Sequence, residues 1–178
     1  MILLEDLMAI VVDKMRTVDP LQPTVDDETE EAPYYIYGHP AETNQRLIER
    51  TTAALEKYPL VWLMQDYSWD VFDGMIHFDA NVILLEYTDL NYTSVQRTDN
   101  VFRPKLLPMY ERFLVALRKV GFSWKGALDR PPHKGVVMPF YGTKIAGEQS
   151  SNKESIFTDP LDAIGLFGLK INIRNSKC

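Results

Sequence analysis

The sequence has little cysteine and no long apolar run, and each absence excludes a class of protein. Cys178 is the single cysteine among 178 residues, so an intramolecular disulfide framework is excluded and a reducing compartment is favoured. The segment Ile2–Met15 is too short to span a bilayer, and Glu5, Asp6 and Asp13 interrupt it. No basic region precedes it, as a signal peptide would require. We therefore expect a protein that is made and kept in a cytoplasm, with no membrane partner.

Glycine and lysine are scarce at the places where common enzymes need them. None of the nine glycines belongs to a cluster that opens a helix, and Gly-x-Ser-x-Gly is absent. Phosphate-loop, dinucleotide and serine-hydrolase signatures are therefore missing. Asp66, Asp79 and Glu86 could supply the acids of a nuclease, but no lysine lies between Lys57 and Lys105 to assist at the phosphate. We therefore expect a non-enzymatic protein without a cofactor.

The charge of the chain is divided between its two halves. Residues 1–89 contain eighteen acidic and five basic residues, a net charge of −13, whereas residues 90–178 contain seven acidic and fourteen basic residues, a net charge of +7. Such a division favours head-to-tail contacts between copies, which close into rings or continue as filaments. A pairing of the two halves within one chain is the alternative. The acidic average argues against duplex nucleic acid as the main ligand.

One polar cluster is the best candidate for a metal site. Oxygen-rich loops can bind Mg²⁺ or Ca²⁺, and His77 and Asp79 alternate along one strand so that they share a face. The cluster lacks the regular spacing of a calcium-binding loop, and acids in a turn are ordinary solvated residues. We therefore assign no metal site, and a metal-dependent enzyme that uses Asp66, Asp79 and His77 stays as the alternative. The cluster comprises Asp66, Asp70, Asp73, His77 and Asp79.

Hydrophobic periodicity predicts the elements of the first half of a single domain, residues 1–178. Leu60–Met64 is apolar without alternation, which predicts a strand buried on both faces. Met75–Tyr87 alternates and predicts a long strand with one apolar face, formed by Ile76, Phe78, Ala80, Val82 and Leu84. The other predicted segments are a helix from Ile2 to Arg16, an acidic linker at 19–32, a strand at Pro33–Tyr37, a helix at Ala41–Lys57 and a turn region at Asp66–Gly74.

The second half predicts one long helix and a closing strand. The helix has Pro104 in its first turn and stops at Gly121, while Pro108 predicts a later start or a kink. Residues 122–158 form a long loop extension in which only Gly135–Tyr141 resembles a strand. Leu161–Ile173 closes the chain as a strand or hairpin. The expected fold is thus α+β, with a mostly antiparallel sheet of about four strands flanked by helices and a long C-terminal loop insertion.

This order of elements, from residue 34 to residue 120, resembles one family of viral proteins. Together with the strings YYIYGHP at Tyr34–Pro40 and YPLVWLMQD at Tyr58–Asp66, it is similar to the tail-terminator (tail-completion) and head–tail neck-ring proteins of long-tailed bacteriophages. Both strings also look like phage-encoded reading frames of gut bacteria. The resemblance implies a tail-terminator-like fold and a virion structural protein that forms a ring at the head–tail junction or tail end, without catalytic residues.

The resemblance also implies partners and contact residues. We expect a closed ring of six or twelve copies, assembled in the host bacterial cytoplasm, that contacts neck, portal or tail-tube proteins and passes viral DNA through its lumen without sequence-specific binding. A small adaptor that pairs its Tyr34–Tyr37 strand with a host protein is a further alternative. The expected assembly interface consists of Asp26, Asp27, Glu28, Glu30 and Glu31 from the acidic linker together with Arg130, Lys134 and Lys144 from the loop extension.

Overall fold

A computed structural model of the protein describes residues 3–18, 33–53, 56–125, 129–142 and 157–174, which form an α+β fold as predicted. The helices are α1 (Leu4–Met15), α2 (Pro40–Thr52), α3 (Ser94–Arg97) and α4 (Leu107–Val120), with a π-helical segment at Thr98–Leu106 between the last two. The strands are β1 (Tyr34–Gly38), β2 (Leu60–Met64), β3 (Ser68–Phe72), β4 (Met75–Tyr87), β5 (Lys134–Met138) and β6 (Leu161–Arg174).

These strands build one mixed sheet of six strands within the described ranges. Its order is β1-β2-β4-β6-β5. β2 and β3 lie on the same side of β4, where β3 pairs with the first half of β4 and β2 pairs with the second half. β1 and β2 run parallel, and the other pairs are antiparallel. The expected number of about four strands is corrected to six, because β3 occupies the expected turn region and β5 lies within the expected long loop.

The first half of the sequence follows its prediction except at β3 and at the end of α2. β2 is buried on both faces, since Val61 and Leu63 enter one apolar cluster while Leu60 and Trp62 enter the other. β4 has the predicted bounds. The predicted helix at Ala41–Lys57 is too long, because α2 ends at Thr52. The acidic linker at 19–32 and part of the loop extension, 126–128 and 143–156, lie outside the described residues.

Two apolar cores form on the two faces of the sheet. The predicted apolar face of β4 packs beneath α1 and α4, where Met8 and Phe113 are buried. On the opposite face, Trp62 lies against Leu47 of α2 and Phe157, and its indole Nε1 donates a hydrogen bond of 2.9 Å to the carbonyl oxygen of Gly38. Burial of so large an aromatic side chain strongly stabilises the fold when its polar atom has a hydrogen-bond partner, as the indole Nε1 of Trp62 has here.

The segment before α4 is helical but wound more widely than an α-helix. Thr93 caps α3 with a reciprocal capping box to Gln96. The π-helical turn then contains Pro104, and α4 begins at Leu107 with Pro108 in its first turn. Proline has no N–H group and its ring clashes with the carbonyl four residues earlier, so neither proline fits an α-helix interior. The later start that Pro108 predicted is therefore confirmed, and α4 ends at the left-handed Gly121 as expected.

Two ion pairs fasten this helical segment to the ends of the central strands. Glu86 of β4 and Asp162 of β6 lie directly opposite each other, and both are buried. Nζ of Lys105 lies 2.9 Å from Oε1 of Glu86, and Nε of Arg97 lies 3.2 Å from Oδ2 of Asp162. The Arg97 guanidinium also stacks 3.6 Å from the ring centre of Phe140. Burial raises the pKa of Asp162, while the Phe140 backbone N–H and Arg97 act in the opposite direction.

Removing the cation from the buried pair should destabilise the fold. Arg97→Met leaves a buried carboxylate without its partner, which should lower the free energy of unfolding by about 3–5 kcal/mol. The matched control is Arg103→Met, because Arg103 pairs with Asp99 on the exposed surface and such pairs contribute about 1 kcal/mol or less. Urea unfolding followed by circular dichroism measures both. Equal losses in the two variants would contradict a stabilising role for the buried pair.

Candidate functional site

One half of a sheet face is polar and uncovered, where β3, the start of β4 and the end of β6 lie side by side. Directly opposed residues of antiparallel strands share a face. The alternate residues, such as Phe78 and Ile171, are buried on the other face beneath the helices. The polar face therefore consists of two rows of opposed side chains, Ser68, Asp79 and Lys170 in one row and Asp70, His77 and Asn172 in the next.

A cleft of about 470 Å³ lies over this polar face, and Lys125 and Pro132 also line it. Within it, Nδ1 of His77 lies 2.6 Å from Oδ1 of Asn172, within hydrogen-bond distance. Nε2 of His77 lies 3.4 Å from the carbonyl oxygen of Phe72. The cleft mixes acids with lysines, so it can form hydrogen bonds of both kinds but has no dominant charge.

The structure brings only part of the predicted metal cluster together. Asp70, His77 and Asp79 share the polar face, whereas Asp66 precedes β3 and Asp73 lies in the turn after it. Within the described ranges, no three His, Cys, Asp or Glu side chains are grouped closely enough to hold a metal ion. Nδ1 of His77 also lies within hydrogen-bond distance of the Asn172 side chain. This geometry does not favour the metal-dependent enzyme.

Metal titration tests that interpretation. We expect isothermal titration with Mg²⁺, Mn²⁺ or Zn²⁺ to show no stoichiometric binding, and Asp79→Ala to behave like the natural protein. The reason is that three converging ligands are needed to displace water from the ion. Asp99→Ala is the control, since Asp99 is an exposed acid away from the cleft. Tight one-to-one binding that is lost in Asp79→Ala and kept in Asp99→Ala would revive the enzyme alternative.

Beside the cleft, β3 forms the exposed arm of a β-hairpin. All five of its residues are exposed, and the large apolar side chains Trp69, Val71 and Phe72 are 47%, 52% and 68% accessible. Asp73 and Gly74 both have positive φ, 54° and 70°, in the two-residue loop between paired Phe72 and Met75. This is the loop geometry that Asp-Gly favours. The Asp-Gly pair followed by an alternating strand was the signal that sequence reasoning missed.

Tyr67 fixes the start of β3 against α1. Its hydroxyl donates a 2.6 Å hydrogen bond to Oε2 of Glu5, and its ring packs edge-on against Tyr37 and Phe78. Burial, and then the hydrogen bond to the Glu5 carboxylate, raise the pKa of Tyr67 to about 12. The position of β3 relative to the helical layer therefore depends on an apolar ring with one strong polar contact.

This contact has a measurable dependence on pH. Because the folded pKa of Tyr67 lies above its ordinary value of 10.0, its contribution to stability is complete below pH 10 and is lost as the pH rises toward 12. The difference in absorbance at 295 nm between the natural protein and Tyr67→Phe should titrate with a midpoint near 12. Far-ultraviolet circular dichroism reports whether the protein stays folded. A midpoint near 10 in folded protein would contradict the buried hydrogen bond.

The expected assembly residues are only partly within the described ranges. Asp26, Asp27, Glu28, Glu30, Glu31 and Lys144 lie outside them. Arg130 pairs with Glu111 of α4, with Nη2 2.8 Å from Oε1, and both side chains are substantially exposed. Lys134 is exposed at the first position of β5.

In comparisons with known proteins, no family model, no curated protein and no solved structure matches the chain. Among the described helices, none combines the length and the apolar character needed to cross a membrane.

Proposed function

We propose that the protein is a non-enzymatic structural subunit that assembles head to tail into a closed ring. The observation that carries this proposal is β3, a strand with every residue exposed and with three large apolar side chains facing water. Exposed apolar edge strands promote pairing with other chains, and proteins that remain single usually shorten, charge or cover them. A partner that covers β3 would remove this apolar surface from water.

The division of charge supports a ring over a two-fold dimer. A ring contact joins two different surfaces of the subunit, and a sequence whose halves carry net charges of −13 and +7 contains the charges of both signs that such surfaces need. Because the sequence resembles tail-terminator and neck-ring proteins, we propose that this ring belongs to the virion of a long-tailed phage, at the head–tail junction or tail end. Neck, portal or tail-tube proteins would be its neighbours, and DNA would pass through its lumen without sequence-specific contacts.

Native mass spectrometry and sizing chromatography across protein and salt concentrations test the proposal. We expect a single closed oligomer of six or twelve copies at low salt, which dissociates as salt screens the complementary charges. Imaging by negative-stain electron microscopy should show rings with a central opening. A monomer under every condition, alone and with phage neck or tail proteins, would contradict ring assembly. That result would favour the adaptor alternative. In this alternative β1, an edge strand of the described sheet, pairs with a host protein.

A further inference from the structure

The described sheet has strands of opposite electrostatic character at two edges. At one edge, β3 carries Asp70 and is flanked by Asp66 and Asp73, all exposed. At the other edge, β5 begins with the exposed Lys134 and follows the exposed Arg130. Within the described ranges, β3 pairs only with β4 and β5 only with β6. Among the described residues, each of these two strands therefore has one side to which no other strand is hydrogen-bonded.

The directions of these two strands are compatible with pairing between copies. β3 runs antiparallel to β4, β4 antiparallel to β6, and β6 antiparallel to β5. Consequently β3 and β5 of one subunit point in opposite directions. When a second copy is placed beside the first in the same orientation, its β5 lies antiparallel to β3 of the first. An antiparallel pair needs no reversal of the subunit, which is the condition for a head-to-tail contact.

The side chains also match face by face. On the face that carries α1 and α4, β3 presents Trp69 and Val71, because their partners are Phe78 and Ile76. On the same face β5 presents Val137, which is 61% exposed and lies opposite Ile164. Joining the two strands would thus place apolar side chains next to each other and remove them from water.

The opposite face carries the complementary charges. Asp70 alternates with Trp69 and Val71 and therefore lies on the face of the polar cleft, together with Ser68. On β5, Lys134 and Val137 lie on opposite faces of the sheet. Lys134 and its register partner Phe167 therefore lie on the same face as Asp70. A one-residue slip of the pairing between copies would bring charge onto the apolar face. The alternation of apolar and charged residues therefore excludes registers that are shifted by one residue.

From these matches we propose that β3 of one copy pairs antiparallel with β5 of the next, so that the sheet continues from subunit to subunit. The partner is a second copy of this chain, and the inference rests on the proposed ring function. β3 lies beside the first half of β4, whereas β5 lies level with its second half, so the strands of adjacent copies are staggered along the strand direction. A stagger of this kind accompanies the strand tilt of closed sheets.

Charge reversal tests the pairing. Asp70→Lys places like charges opposite each other and should weaken each subunit contact by about tenfold, and adding Lys134→Asp should restore assembly. Asp99→Lys is the control, because Asp99 is an exposed acid on the π-helical segment away from either edge. Native mass spectrometry measures the oligomer fraction, and circular dichroism confirms that each variant is folded.

Cysteine cross-linking tests the same contact without depending on charge. In a Cys178→Ser background, Ser68→Cys combined with Val136→Cys should give a ladder of disulfide-linked oligomers, because these two residues are also opposed in the register that opposes Asp70 to Lys134, and opposed residues of antiparallel strands lie within disulfide range. Ser68→Cys combined with Val137→Cys is the matched control, since Val137 faces the other side of the sheet. A ladder for the first pair alone, together with the charge rescue, would support the proposal.

Two outcomes would overturn the inference, and they separate it from the proposed function. If the natural protein forms rings while Asp70→Lys assembles equally well and the Ser68/Val136 pair gives no ladder, the contact uses another surface and the ring stands. If the natural protein never assembles, alone or with neck and tail proteins, both the ring and this contact are wrong.

Discussion

The antiparallel pairing of β4 with β6 is the constraint on which the remaining structure depends. The two strands stay paired from Met75 and Arg174 at one end to Tyr87 and Leu161 at the other, with one register shift after Ala80. Every other strand except β1 attaches directly to this pair. Successive side chains of this strand pair point to opposite faces of the sheet and enter two separate apolar cores. The positions of α1 and α4 on one face and of α2 on the other follow from this alternation.

The length of this central pair also explains why the molecule has an open surface. Thirteen and fourteen residues of strand reach beyond the core that contains Trp62 and Leu47, so one face of the far end stays polar and accessible. β3 widens the sheet at this end and leaves its own outer side available. The buried charges lie at the opposite end, where Arg97 and Lys105 neutralise two acids. Among the described residues, one end of the sheet is therefore closed by ion pairs, and the other is polar and accessible on one face.

Sequence reasoning succeeded where the signal is local. The bounds of β4, the double burial of Leu60–Met64 and the helix stop at Gly121 each follow from residues close together in the chain. It failed at β3, because alternation within five residues is weak and the Asp-Gly turn at Asp73 was taken as part of a longer loop. At β5 it recognised that Gly135–Tyr141 resembles a strand but kept this segment within a long loop extension, because so short a strand gives little signal without β6 beside it. The ion pair of Arg97 with Asp162 joins residues that no periodic pattern connects.

The sequence by itself determined the class of the fold, the longer segments that become helix or strand and the unequal distribution of charge, because these follow from composition and from repeats of two or 3.6 residues. Only the tertiary structure decided that β3 and β5 lie at opposite edges and that Asp70 and Lys134 lie on the same face. Strand order and register depend on contacts between residues far apart in the chain, and those contacts exist only once the two cores have formed.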